Sequence, residues 1–219
     1  FASMVPSGMS AVIGDISNVQ TPEGWLGIEL FALFFPVSLA ILGVVYGARL
    51  IGREEDSGTL EIILAGPVSR LKLVVQKLFA LIKLLAVPAV ILWVSVALGS
   101  IWFDFSPNLW HVAQAVIAGW LLGLVYGTVA FMTQAISGKS GLATGVGIGV
   151  FFVTYMITIV SQLVDSWKDT QWLSPFRYYD ASNVLSHGFD AENVITLITL
   201  GALFSLIALL AFPRRDIRS

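Results

Sequence analysis

Five long apolar runs dominate the chain, roughly Leu30 to Ala48, Leu78 to Phe103, Val112 to Ile136, Leu142 to Val164 and Val194 to Pro213. Each approaches or exceeds the ~20 residues that a helix needs to cross the hydrocarbon core of a bilayer. No charged residue interrupts the stretches between Lys83 and Asp104, between His111 and Lys139, or between Lys139 and Asp165. Inside a bilayer every backbone polar group must be satisfied within the segment, so these runs predict transmembrane helices. No internal repeat or low-complexity linker divides the chain, and residues 1–219 are expected to form a single, all-α membrane domain.

Composition strengthens this reading. The 219 residues are 57% hydrophobic and only 12% charged, against the roughly 25% charged usage of soluble domains, and mean hydropathy is +0.86. These values define an integral membrane protein. Cysteine is absent, which removes disulfides and thiolate metal sites. The formal net charge of -2 carries little meaning by itself; the placement of charge carries more. Ten of the twelve Lys and Arg residues fall on one side of the predicted spans: Arg49, Arg53, Arg70, Lys72, Lys77, Lys83, Lys139, Arg214, Arg215 and Arg218. Only Lys168 and Arg177 fall on the other. By the positive-inside rule the richer side, with the C-terminus, is expected to be cytoplasmic, and the start of the chain to lie outside. An external start followed by five spans predicts a further helix before Phe1, six in all, with residues 1–27 as the external loop after it.

One segment breaks the apolar pattern. Residues 49–77 form a cytoplasmic stretch whose centre, Gly52 to Arg70, reads GREEDSGTLEIILAGPVSR. Asp56 or Ser57 is a plausible N-cap, Thr59 to Ala65 makes about two helical turns, and Gly66 with Pro67 is a stop signal. Leu60, Ile63 and Leu64 share one face. Pro67 opens the next helix, whose Arg70, Lys72, Lys77 and Lys83 are positioned to snorkel to anionic headgroups. Physical pattern alone leaves two readings open: a helix lying on lipid, or a docking element for a soluble partner.

The residues also carry a resemblance. Glu54, Glu55, Gly58, Thr59, Leu60, Glu61, Ile63, Leu64, Pro67, Val68, Ser69 and Arg70 resemble the E-x-x-x-G-T-L-E-x-L-L-x-x-P-x-S-R pattern of ABC-2 type permeases, the transmembrane subunits of ATP-binding-cassette exporters. Leu173 to Tyr178 (LSPFRY) and the closing Phe212, Arg214, Arg215, Asp216 and Ile217 agree with it. The resemblance implies that the 49–77 segment contains a coupling helix seated in an ATPase subunit. It further implies a 2:2 assembly in the plasma membrane, with a second copy or paralogue of the permease and with ATP and Mg held by the ATPase. Substrates of that family include drugs, lipids, polysaccharides and peptides; the apolar lining available here points to an amphipathic or lipid-like cargo. Membrane lipids are expected neighbours, and nucleic acid is not an expected partner.

Other chemistries find little support. Gly138, Lys139 and Ser140 spell the end of a phosphate-binding loop, but its first glycine would fall at Thr133, and no strand precedes it. A tight turn between spans is the expected structure, and no nucleotide or other cofactor site is expected in this chain. Apart from Lys83 near the start of the second, the five apolar runs contain no Asp, Glu, Lys, Arg or His, which disfavours ion-coupled transport. Glu29 lies at the outer edge of the first span, where a solvated helix-start carboxylate is the simpler reading. His111 and His187 lie in external loops without a metal-binding motif. The carboxylates Asp165, Asp169, Asp180, Asp190 and Glu192 are spread along the 165–193 loop like a solvated face rather than an acid-base pair. A lipid-acting membrane enzyme and a non-transporting scaffold or immunity protein are the alternatives from other classes.

Two features remain. The 165–193 loop holds Trp167, Trp172, Phe176, Tyr178 and Tyr179, amphipathic aromatics suited to a membrane interface, with Pro175 breaking the segment. The resemblance implies short re-entrant helices here, with Pro175, Phe176, Arg177 and Tyr178 as a candidate external gate; a plain aromatic belt fits the composition equally well. Gly119, Gly123 and Gly127 recur every four residues in the third span, and Gly141, Gly145 and Gly149 in the fourth. Such stripes let backbones approach closely. The simplest expectation is that these two helices pack on each other, with a dimer interface as the alternative for one stripe.

Overall fold

A computed structural model describes residues 30–66, 68–102 and 106–215. Among these residues the chain is helical throughout its regular structure, with no strand. The long helices are α1 (Phe34–Asp56), α3 (Arg70–Trp102), α4 (Leu109–Ser137), α5 (Ser140–Leu163) and α7 (Ala191–Ala211). All five are long and apolar enough to cross a membrane, the last counted through Arg214. Short α2 (Thr59–Ala65) joins α1 to α3, and α6 (Ala181–His187) follows two 3-10 segments, Asp165–Leu173 and Pro175–Tyr178. The chain is a multi-pass helical membrane protein. The residues expected to form the first external loop lie outside the described part.

Helix α4 is the axis of the bundle and packs against α1, α3, α5 and α7. In its most apolar window 72% of residues are buried, against 11% in α5 and in α7, so those two leave most of their surface uncovered by the described residues. The α1/α4 interface is the most extensive, and its cause is glycine. A Cβ added to Gly43 would lie 2.3 Å from the Gly123 carbonyl oxygen, and one added to Gly47 would lie 2.1 Å from that of Gly127. Lipid chains are as apolar as leucine, so close packing of this kind drives helix association in a bilayer.

Helices α4 and α5 do pack on each other, as expected, but their glycine stripes do not make that contact. The Gly119, Gly123 and Gly127 stripe packs on α1, against Phe35, Leu39 and Gly43, not on α5. Gly141, Gly145 and Gly149 meet nothing within 4 Å. Helix α5 instead reaches the bundle through Gly147, which lies against Val44 and Ala130.

The helix ends also differ from the hydropathy reading. Helix α1 continues through Arg49–Asp56, and α3 already begins at Arg70, because charged residues are good helix formers once they leave the apolar layer. One end of the bundle therefore carries α2, the start of α3, the α4–α5 turn and the end of α7. It is called the basic end below.

Candidate functional site

The short helix at the basic end forms as expected, but its start is built differently. Gly58, with φ +69°, is its N-cap, and no side chain caps it. Ser57 instead terminates α1. Its backbone N–H donates to Arg53 O, and that of Gly58 to Glu55 O. The Ser57 and Thr59 hydroxyls both donate to Glu54 O at 3.2 Å. They satisfy a carbonyl that the end of α1 leaves without a partner. Gly66 is extended and closes α2 after Ala65; Pro67 lies outside the described residues.

Burial separates the two faces of α2. Leu60 is 1% exposed, and Ile63 and Leu64 are half-buried against the same core. The apolar face predicted from spacing thus anchors α2 to its own bundle, and burial of Leu60 contributes roughly 2 kcal/mol to that seat. Glu61, Ile62 and Ala65 point away from it, Ile62 being 74% exposed.

The acidic residues before α2 are structural ties. Glu54 forms an ion pair with Lys77 of α3. Glu55 pairs with Arg215 beyond α7, and its Oε2 accepts from Gln134 Nε2 at 3.0 Å. Arg215 Nη1 also donates to Gln134 O at 2.9 Å and Ala135 O at 3.2 Å, and its guanidinium lies 5.5 Å from the centre of the Phe212 ring. Arg70 donates to Pro213 O and Arg215 O, at 3.3 and 2.8 Å. Asp56 accepts from the Ser140 hydroxyl at 2.6 Å. Together these contacts lock α1, α3, the α4–α5 turn and the end of α7 around α2. Arg70 and Lys77 are consequently committed to protein partners rather than to headgroups, whereas Lys72 and Lys83 stay exposed. Ser69 is exposed, its Oγ accepting from Lys72 N–H at 3.3 Å; Val68 is half-buried.

The turn at Gly138, Lys139 and Ser140 belongs to this knot. Gly138 has φ +67° and donates to Gln134 O at 2.9 Å. A Cβ there would meet Glu55 Oε1 at 2.7 Å and Arg215 Cζ at 2.9 Å. Gly138→Ala therefore strains the backbone by roughly 1–2 kcal/mol and also parts the ion pair. A melting temperature lowered in detergent is the expected result, and an unchanged one would contradict this geometry. Sequence reasoning missed Gln134, Ser140 and the pairing of Arg215. The available signal was Gln134, one of two amides in α4 and the one near its C-terminal end.

At the other end the 165–193 loop folds back onto the bundle. Phe176 packs against Tyr126, Phe151 and Tyr155, with ring centroids 5.7, 5.8 and 5.2 Å away. Tyr155 lies eight residues inside the end of α5, ~12 Å along the helix, so Phe176 is seated well within the bundle rather than at the tip of α5. Ser174 fixes it, donating to Thr154 O at 2.9 Å and sharing a 2.7 Å hydrogen bond with the Thr158 hydroxyl. Pro175 and Phe176 are buried, Tyr178 is half-buried and Arg177 is exposed. Tyr179 donates to Phe31 O at 2.9 Å, and burial holds its phenol well above the usual range, so it remains a donor. Two carboxylates of this loop are helix caps: Asp180 accepts from Asn183 N–H at 3.1 Å, and Asp190 from Glu192 N–H at 3.0 Å. Asp165 pairs with Lys168, whose hydrogen bond and positive charge hold its carboxyl below the usual carboxylate range. His111 Nδ1 contacts Leu185 O at 3.0 Å, and His187 ends α6. Among the described residues no cluster of His, Cys, Asp or Glu could hold a metal ion.

The architecture is thus a polytopic helical membrane protein whose basic end presents one short, rigidly seated helix. Residues 7–217 match the family model described as ABC-2 family transporter protein, and the chain belongs to that family. It is a transport permease by family, a transmembrane subunit rather than a catalytic domain, and the family works in general with an ABC ATPase subunit. No curated protein and no solved structure matches the chain.

Proposed function

We propose that this chain is the membrane-spanning half of an ATP-driven exporter in the plasma membrane, with the basic end and C-terminus cytoplasmic and α2 as the coupling helix. A separate ATPase binds ATP and Mg, in an assembly of two ATPases with two permeases, the second permease being a copy or a paralogue. The cargo is amphipathic or lipid-like, and the Pro175–Tyr178 segment is its external gate. The observation that carries this reading is the division of α2 into a buried face at Leu60 and a free face at Glu61, Ile62 and Ala65. A helix laid on lipid would turn its apolar face outward; here that face is consumed by the protein.

ATP-driven closure of the ATPases would press on the free face. Because Glu54, Glu55 and Arg70 tie the seat of α2 to α3 and to the end of α7, the load enters several helices together. Helix α1 transmits it to α4 through their backbone contact at Gly43 and Gly47. The result is a rigid-body tilt rather than a local bend.

Ile62→Asp tests this. The substitution is on the surface, so the protein should insert and melt as before while losing ATPase co-purification and vanadate-sensitive ATP hydrolysis. Leu60→Asp should lose coupling by a different route, through release of α2 from its seat. A well-folded Ile62→Asp protein that keeps full ATP-driven export would sink the assignment.

A further inference from the structure

The flank of α1 at the basic end carries chemistry that the coupling reading does not use. A cavity of about 840 Å³ opens there, with Tyr46, Arg49, Leu50, Arg53, Lys77 and Ser140 in its wall. Arg49 and Arg53 stand one helical turn apart, which places them on the same side of α1. Both are exposed, and neither guanidinium has an ion pair or hydrogen bond among the described residues. The wall holds three cations, Arg49, Arg53 and Lys77, against two carboxylates, and neither carboxylate forms an ion pair with the arginines. Glu54 is held by Lys77, and Asp56 by the Ser140 hydroxyl.

The same side of α1 continues away from the basic end as a mostly apolar stripe, with Ser38 its one polar member. Phe34, Ser38, Ile41 and Val45 precede Arg49 at spacings of four, three, four and four residues. Phe34 is 65% exposed and Ile41 47%. An apolar track ending in two unpaired guanidinium groups at the membrane boundary matches one kind of molecule. We propose that this groove binds an anionic phospholipid, its phosphate on Arg49 and Arg53 and an acyl chain along Val45 and Ile41. Guanidinium groups suit this task because their planar fork donates two parallel hydrogen bonds to phosphate oxygens. Lys72 and Lys83, equally basic and also exposed, do not line this cavity; charges of that kind attract anionic lipid diffusely. The proposal goes beyond the exporter reading and does not depend on it, since it concerns a resident lipid and not cargo.

The test is native mass spectrometry of the full chain in detergent, titrated with phosphatidylglycerol or with phosphatidylcholine of the same acyl chains. Wild type is expected to retain phosphatidylglycerol preferentially. In Arg49→Gln/Arg53→Gln that preference should fall by roughly 30-fold, from about a fivefold contribution per arginine near a lipid surface. Arg49→Lys/Arg53→Lys should recover part of it, which separates loss of charge from loss of fold. Lys72→Gln/Lys83→Gln should keep it nearly whole. Equal retention of phosphatidylglycerol by wild type and the glutamine variant would overturn the proposal, as would an equal loss in the lysine control. Displacement of the lipid by inorganic phosphate at matched concentration would also overturn it, since that identifies a free-anion site with no acyl track.

Discussion

Gly47→Leu is expected to abolish the folded bundle, the largest effect of any single substitution considered. The new Cβ would lie 2.1 Å from the Gly127 carbonyl oxygen and 3.1 Å from the Phe131 nitrogen. Both are backbone atoms of α4, so no rotamer change relieves the clash. Helices α1 and α4 would have to move apart, and the Gly43–Gly123 contact one turn away would open with them. Overpacking of a well-filled core already costs about 1–3 kcal/mol, and here the cost extends along the interface that organises the membrane domain. The measurement is the monodisperse fraction after detergent extraction, followed by thermal melting. Gly145→Leu is the control. That residue meets nothing within 4 Å, and leucine favours helix over glycine by up to ~1 kcal/mol, so the single chain should fold unharmed. A Gly47→Leu protein as monodisperse and as stable as wild type would refute the α1/α4 contact described above.

The second large effect is expected at the ion pair between Glu55 and Arg215. Both side chains are mostly shielded, at 19% and 14% exposure. Removing one partner of a shielded pair leaves an uncompensated charge, at a typical cost of about 3–5 kcal/mol. Glu55→Ala should therefore destabilise the protein by about 3 kcal/mol, the lower end of that range, because Arg215 keeps its bonds to the Gln134 and Ala135 carbonyls. The double substitution Glu55→Ala/Arg215→Ala should cost clearly less than the sum of the two single changes, since neither charge is then stranded. Melting curves of the three variants decide this. Strict additivity would mean that the two side chains do not interact, and that the basic end is held by the remaining contacts alone.

These two sites were unequally visible in the sequence. That glycines mattered was legible from their four-residue recurrence, but the partner helix was not, because a stripe of small residues states only that something comes close. Gly43 and Gly47 on α1 are spaced by four as well, and it is their opposition to Gly123 and Gly127 that identifies the contact. The charges of GREED were visible too, yet their roles were not. Flanking α2 was the natural local reading, whereas Glu55 finds its partner 160 residues away. The same limit explains the cap of α2, expected at Asp56 or Ser57: Ser57 is engaged in ending α1, since a hydroxyl beside two helix ends can serve either.

The family emerged from local order alone: the spaced apolar runs, the Gly58–Leu64 motif and its neighbours are contiguous in sequence, and the family match over residues 7–217 agrees with them. By itself the sequence determined five membrane-crossing helices and a short surface helix, because the bilayer makes length and apolarity sufficient criteria. Only the tertiary structure decided which face of α2 is free, which helices share glycine contacts and which basic residues remain unpaired. Those outcomes depend on side chains far apart in the chain meeting in space, and no local pattern of apolarity or charge encodes that choice.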